Sequence, residues 1–524
     1  MGRHFFLTTA IDYPNSRPHI GTAFEKIGAD VQARYRRMEG YEVFFLMGND
    51  ENTIKVARRA AELGQPVQAY CDDMARQFRE VWSALDISLD DFIQTSEPRH
   101  HTGCRAFIQK VFDAGHIYKS AYEGWYCDGC EAFKTEKELD ERKCCPAHQT
   151  PAVRRSEDCY YFALSKFRER LLEFYEAHPD FIQPESRRNE VLQLVKAELL
   201  DVNITRSGQD WGIKVPFDER YTIYVWFDAL LNYITAAGYG TDMERFNRLW
   251  PADLHVIGKD ITRFHCALWP AMCMAAGIEP PRKVFGHGFV FLKTETGEAV
   301  KISKSLGNAV EPMDLITRFS PEALRYYFMR ECPFPGDGEF AWQRFAEVYN
   351  SDLANNLGNL FSRVVGLLGK NFPGDVPGTA GRTPTLPPGN STRAQIIDRY
   401  RELVENLQYN QALGSLWADV LVPANQHAEK TAPWSLVKKD PPAAALVLHD
   451  LVEALRVASI LLKPFLPRLS ERIYRSFNFK LPWESVSTKA AQESECCENA
   501  LMVLAELEAG KVKPLLPRIE IDKS

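Results

Sequence analysis

The opening stretch constrains the fold more than any other part of the chain. His4-Phe5-Phe6-Leu7-Thr8-Thr9 is an apolar run of strand length. A loop of turn formers follows, Asp12 to Pro18, with Pro14, Asn15, Ser16 and Pro18. Phe24, Ile27, Val31, Tyr35 and Met38 then recur at helical spacing, and Gly40 stops the pattern. Tyr41 to Met47 reads as a second strand. Strand, helix and strand with short links make a βαβ unit, the building block of parallel sheets. Ligands of such sheets sit beyond the carboxyl ends of the strands. The 10–22 loop and the Gly48-Asn49-Asp50 turn therefore share one rim.

Length and charge narrow the class. At roughly 100–200 residues per domain, 524 residues imply about three or four domains. Apolar residues make up 45% and charged residues 25%, as in a soluble globular protein. A disordered chain, a collagen-like fibre and a small disulfide scaffold are excluded. Lys+Arg 63 against Asp+Glu 70 leaves a net charge of −7. That excludes a wholly basic nucleic-acid coat and still allows local basic patches. Met1 to Phe6 has no apolar core or cleavage site of a signal peptide, Phe6 stands where a myristoylation motif needs Ser or Thr, and no apolar stretch is long enough to span a bilayer. A cytoplasmic protein without membrane contact is expected.

From 116 to 220 the parallel-sheet pattern breaks into short aromatic segments, clustered cysteines and a charged helical stretch, Lys166 to Glu176. It reads as an insertion. Strands resume at Leu254-His255-Val256-Ile257 and Val284-Phe285-Gly286-His287. After Pro321 the chain reads as almost entirely helical, with a Pro/Gly/Thr-rich surface stretch from Phe372 to Ser391 between two helical groups.

Four of the 12 cysteines crowd together, at Cys127, Cys130, Cys144 and Cys145. Cys127-x2-Cys130 followed by Cys145-x2-His148 offers four N/S donors, the set a closed tetrahedral zinc site takes. Cys144 is the spare thiol. One structural Zn²⁺ per chain is expected.

Two segments suit phosphate chemistry. Pro18-His19-Ile20-Gly21-Thr22 precedes the first helix, whose amides favour an anion, and Gly21 permits close approach. Lys301-Ile302-Ser303-Lys304-Ser305 is a cationic loop. Alone, each is better read as a helix cap or a solvated charged turn. Together, roughly 280 residues apart and flanking an interrupted sheet, they resemble the paired HIGH and KMSKS motifs of class I aminoacyl-tRNA synthetases. Thr22 stands where that motif usually has a second His.

Ile11-Asp12-Tyr13-Pro14-Asn15, Gly48-Asn49-Asp50-Glu51, Tyr224 to Tyr233, His255 to Asp260 and Gly286-His287-Gly288 narrow the resemblance to the methionyl-tRNA synthetase family, over essentially the whole chain. The resemblance implies catalytic roles for His19, Thr22, Lys301 and Lys304, with Mg²⁺ accompanying ATP. It implies ATP contacts from Gly21, Gly258, Lys259, Asp260 and Lys304. It assigns methionine binding to Ile11, Tyr13, Asp50, Trp226, Ala229, Leu230, Tyr233 and His287. Aromatic rings suit a polarisable thioether. The spacing of Trp226, Leu230 and Tyr233 suits a helix core equally well. Glu51-Asn52-Thr53 stands where relatives often have Glu-His-Gly.

In the helical region the family's anticodon readers fall on Asn359, Arg363 and Trp434. An amide and a guanidinium can bond base edges and a Trp can stack on a base, although Trp434 equally suits a helix start packed into a bundle. The expected organisation is an α/β Rossmann-like catalytic domain, first half 1–115 and second half 221–290, interrupted by a zinc-bearing insertion at 116–220. A stem-contact region at 291–350 carries the Lys301–Ser305 loop, and an all-α anticodon-binding bundle fills 351–524. The implied activity joins L-methionine to tRNA(Met) through methionyl-adenylate. The alternatives are another class I synthetase, for example for cysteine, and a non-catalytic tRNA-binding paralogue. The family's additional C-terminal module is not seen, so a monomer is expected.

Overall fold

The computed structural model describes residues 3–129, 132–134, 136–146, 148–197, 199–293, 298–301, 310–494, 500–505, 507–508, 511–512 and 515–520. Its centre is a sheet of six parallel strands: β1 (Arg3–Thr9), β2 (Tyr41–Asn49), β3 (Asp91–Gln94), β4 (Ile182–Gln183), β5 (Leu254–Gly258) and β6 (Val284–His287). The spatial order is β3-β2-β1-β5-β6-β4. The order reverses between β1 and β5, where Leu7 lies beside both Phe45 and Leu254. Such a switch point leaves a crevice beyond the carboxyl ends of the two strands.

Side-chain alternation divides the sheet between two cores. Leu7, Phe45, Met47, Val256 and Phe285 belong to one, and Phe6, Leu46, Ile93, Ile257 and Val284 to the other. Both faces are covered, so the strands read as continuous apolar runs.

Helix α1 (Ile20–Met38) connects β1 to β2 and is covered on both sides. One side meets the sheet. The other meets the helical half of the chain. Tyr409 Oη donates to Gly28 O at 2.8 Å, and a Cβ at Gly28 would lie 2.1 Å from the Phe334 ring. Buried Arg325 donates to Asp30 Oδ2 at 2.7 Å and to the carbonyls of Leu85, Pro464 and Phe465. This contact explains why Asp30 is buried although it is charged, whereas Glu25 and Lys26 are buried against Thr9, Ala10, Asp12 and His287 at the sheet.

The 116–220 stretch forms an antiparallel sheet from Ala132–Lys134, Ile117–Cys127, Val153–Phe162 and Val202–Asn203. It also supplies β4, which pairs with β6 at the sheet edge. Two residues carry no periodicity, so β4 is invisible to pattern reading. Beyond Pro321 helices dominate, but Gly338–Phe340 is a strand parallel to Val290–Lys293.

The 372–391 stretch is not only a surface connection. Val376 and Thr379 are fully buried. Val376 N donates to Leu501 O at 2.9 Å, and Leu501 N donates to Thr379 Oγ1 at 2.8 Å. Backbone groups satisfied in this way let an irregular segment pack inside. No helix among the described residues is long and apolar enough to cross a membrane.

Candidate active site

Beyond β1 the chain runs extended along the end of β2. Asp12 N donates to Gly48 O at 3.0 Å, and Asp50 N donates to Asp12 O at 2.8 Å. Ile11, Tyr13, Asp50, Trp226, Ala229, Leu230 and Tyr233 line one cavity, with Ala10, Ile261 and His265. Seven of the eight residues implied for methionine thus converge. His287 is not among the lining residues. It ends β6, where Nε2 lies 2.8 Å from Glu25 Oε2 and Nδ1 lies 2.7 Å from Gly288 O.

The cavity wall is aromatic and rigid. Trp226 stacks on Phe264 with centroids 3.9 Å apart and planes 6° from parallel. Tyr233 lies over His255 at 4.2 Å, and its hydroxyl is 2.7 Å from His265 Nε2. His265 Nδ1 donates to Ile261 O at 3.1 Å. Burial pushes the His265 pKa down to about 4. The ring is therefore neutral at pH 7, and Nε2 accepts the Tyr233 proton. Ile261 and His265 escaped sequence reading. Their only signal was a four-residue helical step just after Asp260.

Behind this wall, Asn52 Nδ2 donates to Asp228 Oδ2 at 3.0 Å and to Thr95 O at 2.9 Å. His100 Nε2 lies 3.5 Å from Asp228 Oδ1. Burial pushes the Asp228 carboxyl up, against the pull of His100 and Asn52. The departure at Asn52 thus leaves an amide that ties the β2 end to the Val225–Ala229 helix.

At the start of α1, His19 caps the helix. Its Nδ1 accepts from Thr22 N at 3.2 Å. An imidazole whose Nδ1 accepts carries its proton on Nε2, which makes Nε2 the donor. A Cβ on Gly21 would come within 3.0 Å of the His19 ring, so glycine keeps room for the cap. Thr22 Oγ1 lies 3.5 Å from the same Nδ1. Gly258 ends β5, and a Cβ there would lie 2.7 Å from Asp260 Oδ1. Lys259 Nζ is bound at 2.7 Å to both carboxylate oxygens of Asp337. Lys304 lies outside the described residues, and only the backbone of Lys301 is described, closing the strand Ala299–Lys301.

Sequence reading also missed two buried charges on α1. Lys26 is fully buried, with Nζ 2.5 Å from Glu25 Oε1 and 3.1 Å from Asp12 Oδ2. Burial disfavours its ammonium, yet Asp12 and Glu25 outweigh that and hold its pKa above the usual lysine value. Burial pushes the Asp12 carboxyl up to about 6, with Lys26 pulling it down.

In the insertion, Cys127 Sγ, Cys145 Sγ and a ring nitrogen of His148 all lie within 4.8 Å of one another. His148 Nδ1 is 4.0 Å from Cys127 Sγ and 3.8 Å from Cys145 Sγ. A Cβ at Gly129 would strike the His148 ring at 2.5 Å. Two soft thiols and an imidazole at these separations fit around one metal ion. Cys144 points elsewhere, 3.8 Å from Arg142 O. Cys130 lies outside the described residues.

Known proteins resemble the whole chain. The family described as tRNA synthetases class I (M) matches residues 5–150 and 134–365. The methionine–tRNA ligase of Caldanaerobacter subterraneus subsp. tengcongensis is 40% identical over 529 residues, covering 100% of this chain and 80% of the relative. The chain belongs to the methionyl-tRNA synthetase family. A chloroplastic/mitochondrial methionine–tRNA ligase of Arabidopsis thaliana is also 40% identical, covering 98% of this chain and 84% of the relative. Among solved structures, Mycobacterium tuberculosis methionyl-tRNA synthetase in complex with methionyl-adenylate has 35% identity and a TM-score of 0.86, covering 98% of this chain and 100% of that one.

The anticodon binding domain of methionyl tRNA ligase matches residues 390–505. Asn359 and Arg363 are exposed on helix α2 (Asn359–Asn371), four residues and so about one turn apart. Trp434 is the second residue of helix α3 (Pro433–Lys439) and is 41% exposed. The Arg363 guanidinium lies 6.0 Å from the Trp434 ring centroid. Trp434 lies within the matched 390–505 stretch and Asn359 and Arg363 lie before it; all three are exposed, with Arg363 and Trp434 in reach of one another.

Proposed function

We propose that the chain is a methionine–tRNA ligase. It joins L-methionine to ATP as methionyl-adenylate, releases pyrophosphate, and transfers the methionyl group to the terminal ribose of tRNA(Met). The observation that carries the site assignment is the single cavity built from the loop after β1, the end of β2, the 226–233 segment and the 261–265 turn. A flat Trp226–Phe264 wall and the Tyr233 ring suit a thioether, which gains from aromatic contact. Buried Asp50 is the partner for the substrate ammonium. Ile11, Tyr13, Ala229 and Leu230 fit the side chain by shape. His287 acts from the β6 end through Glu25.

Held in this cavity, the carboxylate attacks the α-phosphate in line. No covalent protein intermediate is required, because positioning and charge stabilisation carry the reaction. His19 Nε2, Lys301 and Lys304 are assigned to the leaving phosphates, and Thr22 to keeping the cap that orients His19. Gly21, Gly258, Lys259 and Asp260 are assigned to ATP, with Asp260 on the ribose hydroxyls. Lys259 would have to leave Asp337 to reach a phosphate. Mg²⁺ bound with ATP supplies further charge neutralisation.

Cys127, Cys130, Cys145 and His148 are assigned to one structural zinc. Four protein ligands leave no open position for catalysis. Asn359, Arg363 and Trp434 are assigned to the anticodon. The division into a catalytic domain (1–115 and 221–290), an insertion (116–220), a stem-contact region (291–350) and an anticodon bundle (351–524) is adopted, with β4 a contribution of the insertion to the main sheet. A monomeric, cytoplasmic enzyme is the accompanying reading. ATP–pyrophosphate exchange tests the activity: methionine should stimulate it strongly. Greater stimulation by cysteine, or tRNA binding without any exchange, would overturn the proposal.

A further inference from the structure

Lys26 has no place in the reaction just described, yet it sits at the junction of everything that forms the cavity. Its fully buried ammonium has four oxygen neighbours: Thr9 Oγ1 at 3.0 Å, Ala10 O at 2.7 Å, Glu25 Oε1 at 2.5 Å and Asp12 Oδ2 at 3.1 Å. An ammonium has three protons, which Thr9, Ala10 and Glu25 accept, and Asp12 adds an ion-pair contact. It has nothing left to offer a substrate.

Its partners lie on or beside the loop that bears Ile11 and Tyr13. Successive residues of an extended segment point to opposite sides. Ile11 and Tyr13 face the cavity, whereas Asp12 between them reaches Lys26 on α1. The Asp12 backbone in turn bonds Gly48 and Asp50. Through Glu25, whose other carboxylate oxygen lies 2.8 Å from His287 Nε2, the same ammonium is linked to the end of β6.

We propose that Lys26 is a positioning residue for methionine, its ammonium clamping the Ala10–Tyr13 loop to α1 and so setting where Ile11 and Tyr13 stand. The inference rests on the methionine reading of the cavity. The competing role is neutralisation of Glu25 and Asp12 so that α1 can be buried. That role would lower thermal stability and the amount of folded enzyme but would leave the affinity of what folds unchanged.

Two variants separate these roles in the full-length enzyme. Lys26→Met removes the clamp, and Asp12→Asn weakens it from the loop side with less risk to folding. Losing one charge-assisted contact at a binding wall should raise the methionine KM in pyrophosphate exchange by at least about tenfold. The ATP KM should stay within about twofold, because the His19 cap is untouched. Hydrogen exchange of the peptide covering residues 10–13, which needs no substrate, should accelerate in both variants. If both KM values rise together, or the methionine KM of the folded variants is unchanged, the inference fails. If Lys26→Met does not fold, Asp12→Asn decides by the same ratio. Wild-type exchange without methionine stimulation sinks the ligase reading alone. Unchanged hydrogen exchange at 10–13 sinks the clamp whatever the activity.

Discussion

His19 has two jobs that substitution can pull apart. Its Nδ1 caps α1 by accepting from Thr22 N at 3.2 Å, and its Nε2 is then the protonated nitrogen assigned to a phosphate. A lost cap costs about 0.5–2 kcal/mol. A lost preorganised donor costs about 3–4 kcal/mol of transition-state stabilisation, or roughly 10²–10³ in rate. Even if the whole cap energy fed into the barrier, it would slow the reaction by at most about thirtyfold. The donor dominates. His19→Asn places an acceptor where Nδ1 stands but does not reach as far as Nε2. It should therefore keep the melting temperature within about 0.5 °C of wild type and still lower the pyrophosphate-exchange kcat by about a hundredfold or more. His19→Ala should lose a similar rate and also about 0.5–2 °C. Differential scanning fluorimetry and exchange kinetics read the two effects separately. A His19→Asn enzyme with near wild-type kcat would refute the phosphate role. Equal melting temperatures for the Asn and Ala variants would refute the cap.

The other predictions concern different parts of the molecule. Trp226→Ala removes a ring stacked at 3.9 Å on Phe264 and should raise the methionine KM by about 1–3 kcal/mol in RT ln terms, with an unchanged value sinking the thioether wall. Burial pushes the Glu51 carboxyl up to about 7 from its ordinary 4.5, and its oxygens accept from Gln94 and Ser96. A raised carboxyl pKa gives stability that is complete below pH 4.5 and lost as pH rises through 7. Glu51→Gln should thus gain on wild type between pH 5 and pH 8, by up to about 3 kcal/mol, and a melting-temperature gap that is flat with pH would contradict this. Cys145→Ser should abolish metal retained after gel filtration while Cys144→Ser retains it, and equal metal content in the two variants would count against the ligand assignment. Trp434→Ala should weaken tRNA(Met) binding by about 1–3 kcal/mol without changing pyrophosphate exchange, and unaltered binding would leave Trp434 a packing residue.

Much of the sheet was legible because its strands are apolar on both faces and its first helix is strongly periodic. β1, α1, β2, β5 and β6 lie where apolar runs and turn residues predicted them. The two-residue β4 was not legible, since its place depends on its neighbour β6 and not on any local pattern. The 372–391 stretch misled for the opposite reason. Its composition is that of a surface connection, but Val376 and Thr379 close backbone bonds with Leu501 across the bundle. At the site, family likeness picks out the residues that face the cavity but not those that hold them in place. Lys26 and Glu25 look like solvent-facing charges in a helical pattern, and only their contacts with Thr9, Ala10, Asp12 and His287 make them internal. His265 carries no signal of its own, because its role comes from standing under Tyr233.

Burying α1 from two sides is costly, and the arrangement explains where that cost is met. A sheet helix normally keeps a polar face for water. Here that face is occupied by Phe334, Tyr409 and Arg325, so each buried charge needs an internal partner. Asp30 has Arg325 at 2.7 Å and Arg34 at 2.8 Å, while Glu25 has Lys26 and His287. The helix spans 19 residues, about 28 Å at 1.5 Å per residue. Along that length it carries the His19 cap at its start, the Lys26 contacts with Thr9, Ala10 and Asp12, and the contacts of the helical half at Gly28 and Asp30. A displacement of the helical half against α1 would pull Arg325 from Asp30. The buried ion pairs oppose such a shift, because moving one partner strands the other charge without water. On this argument the charges of α1 maintain alignment between the two halves more than they add stability, since apolar side chains of similar volume would fill the same space at lower desolvation cost.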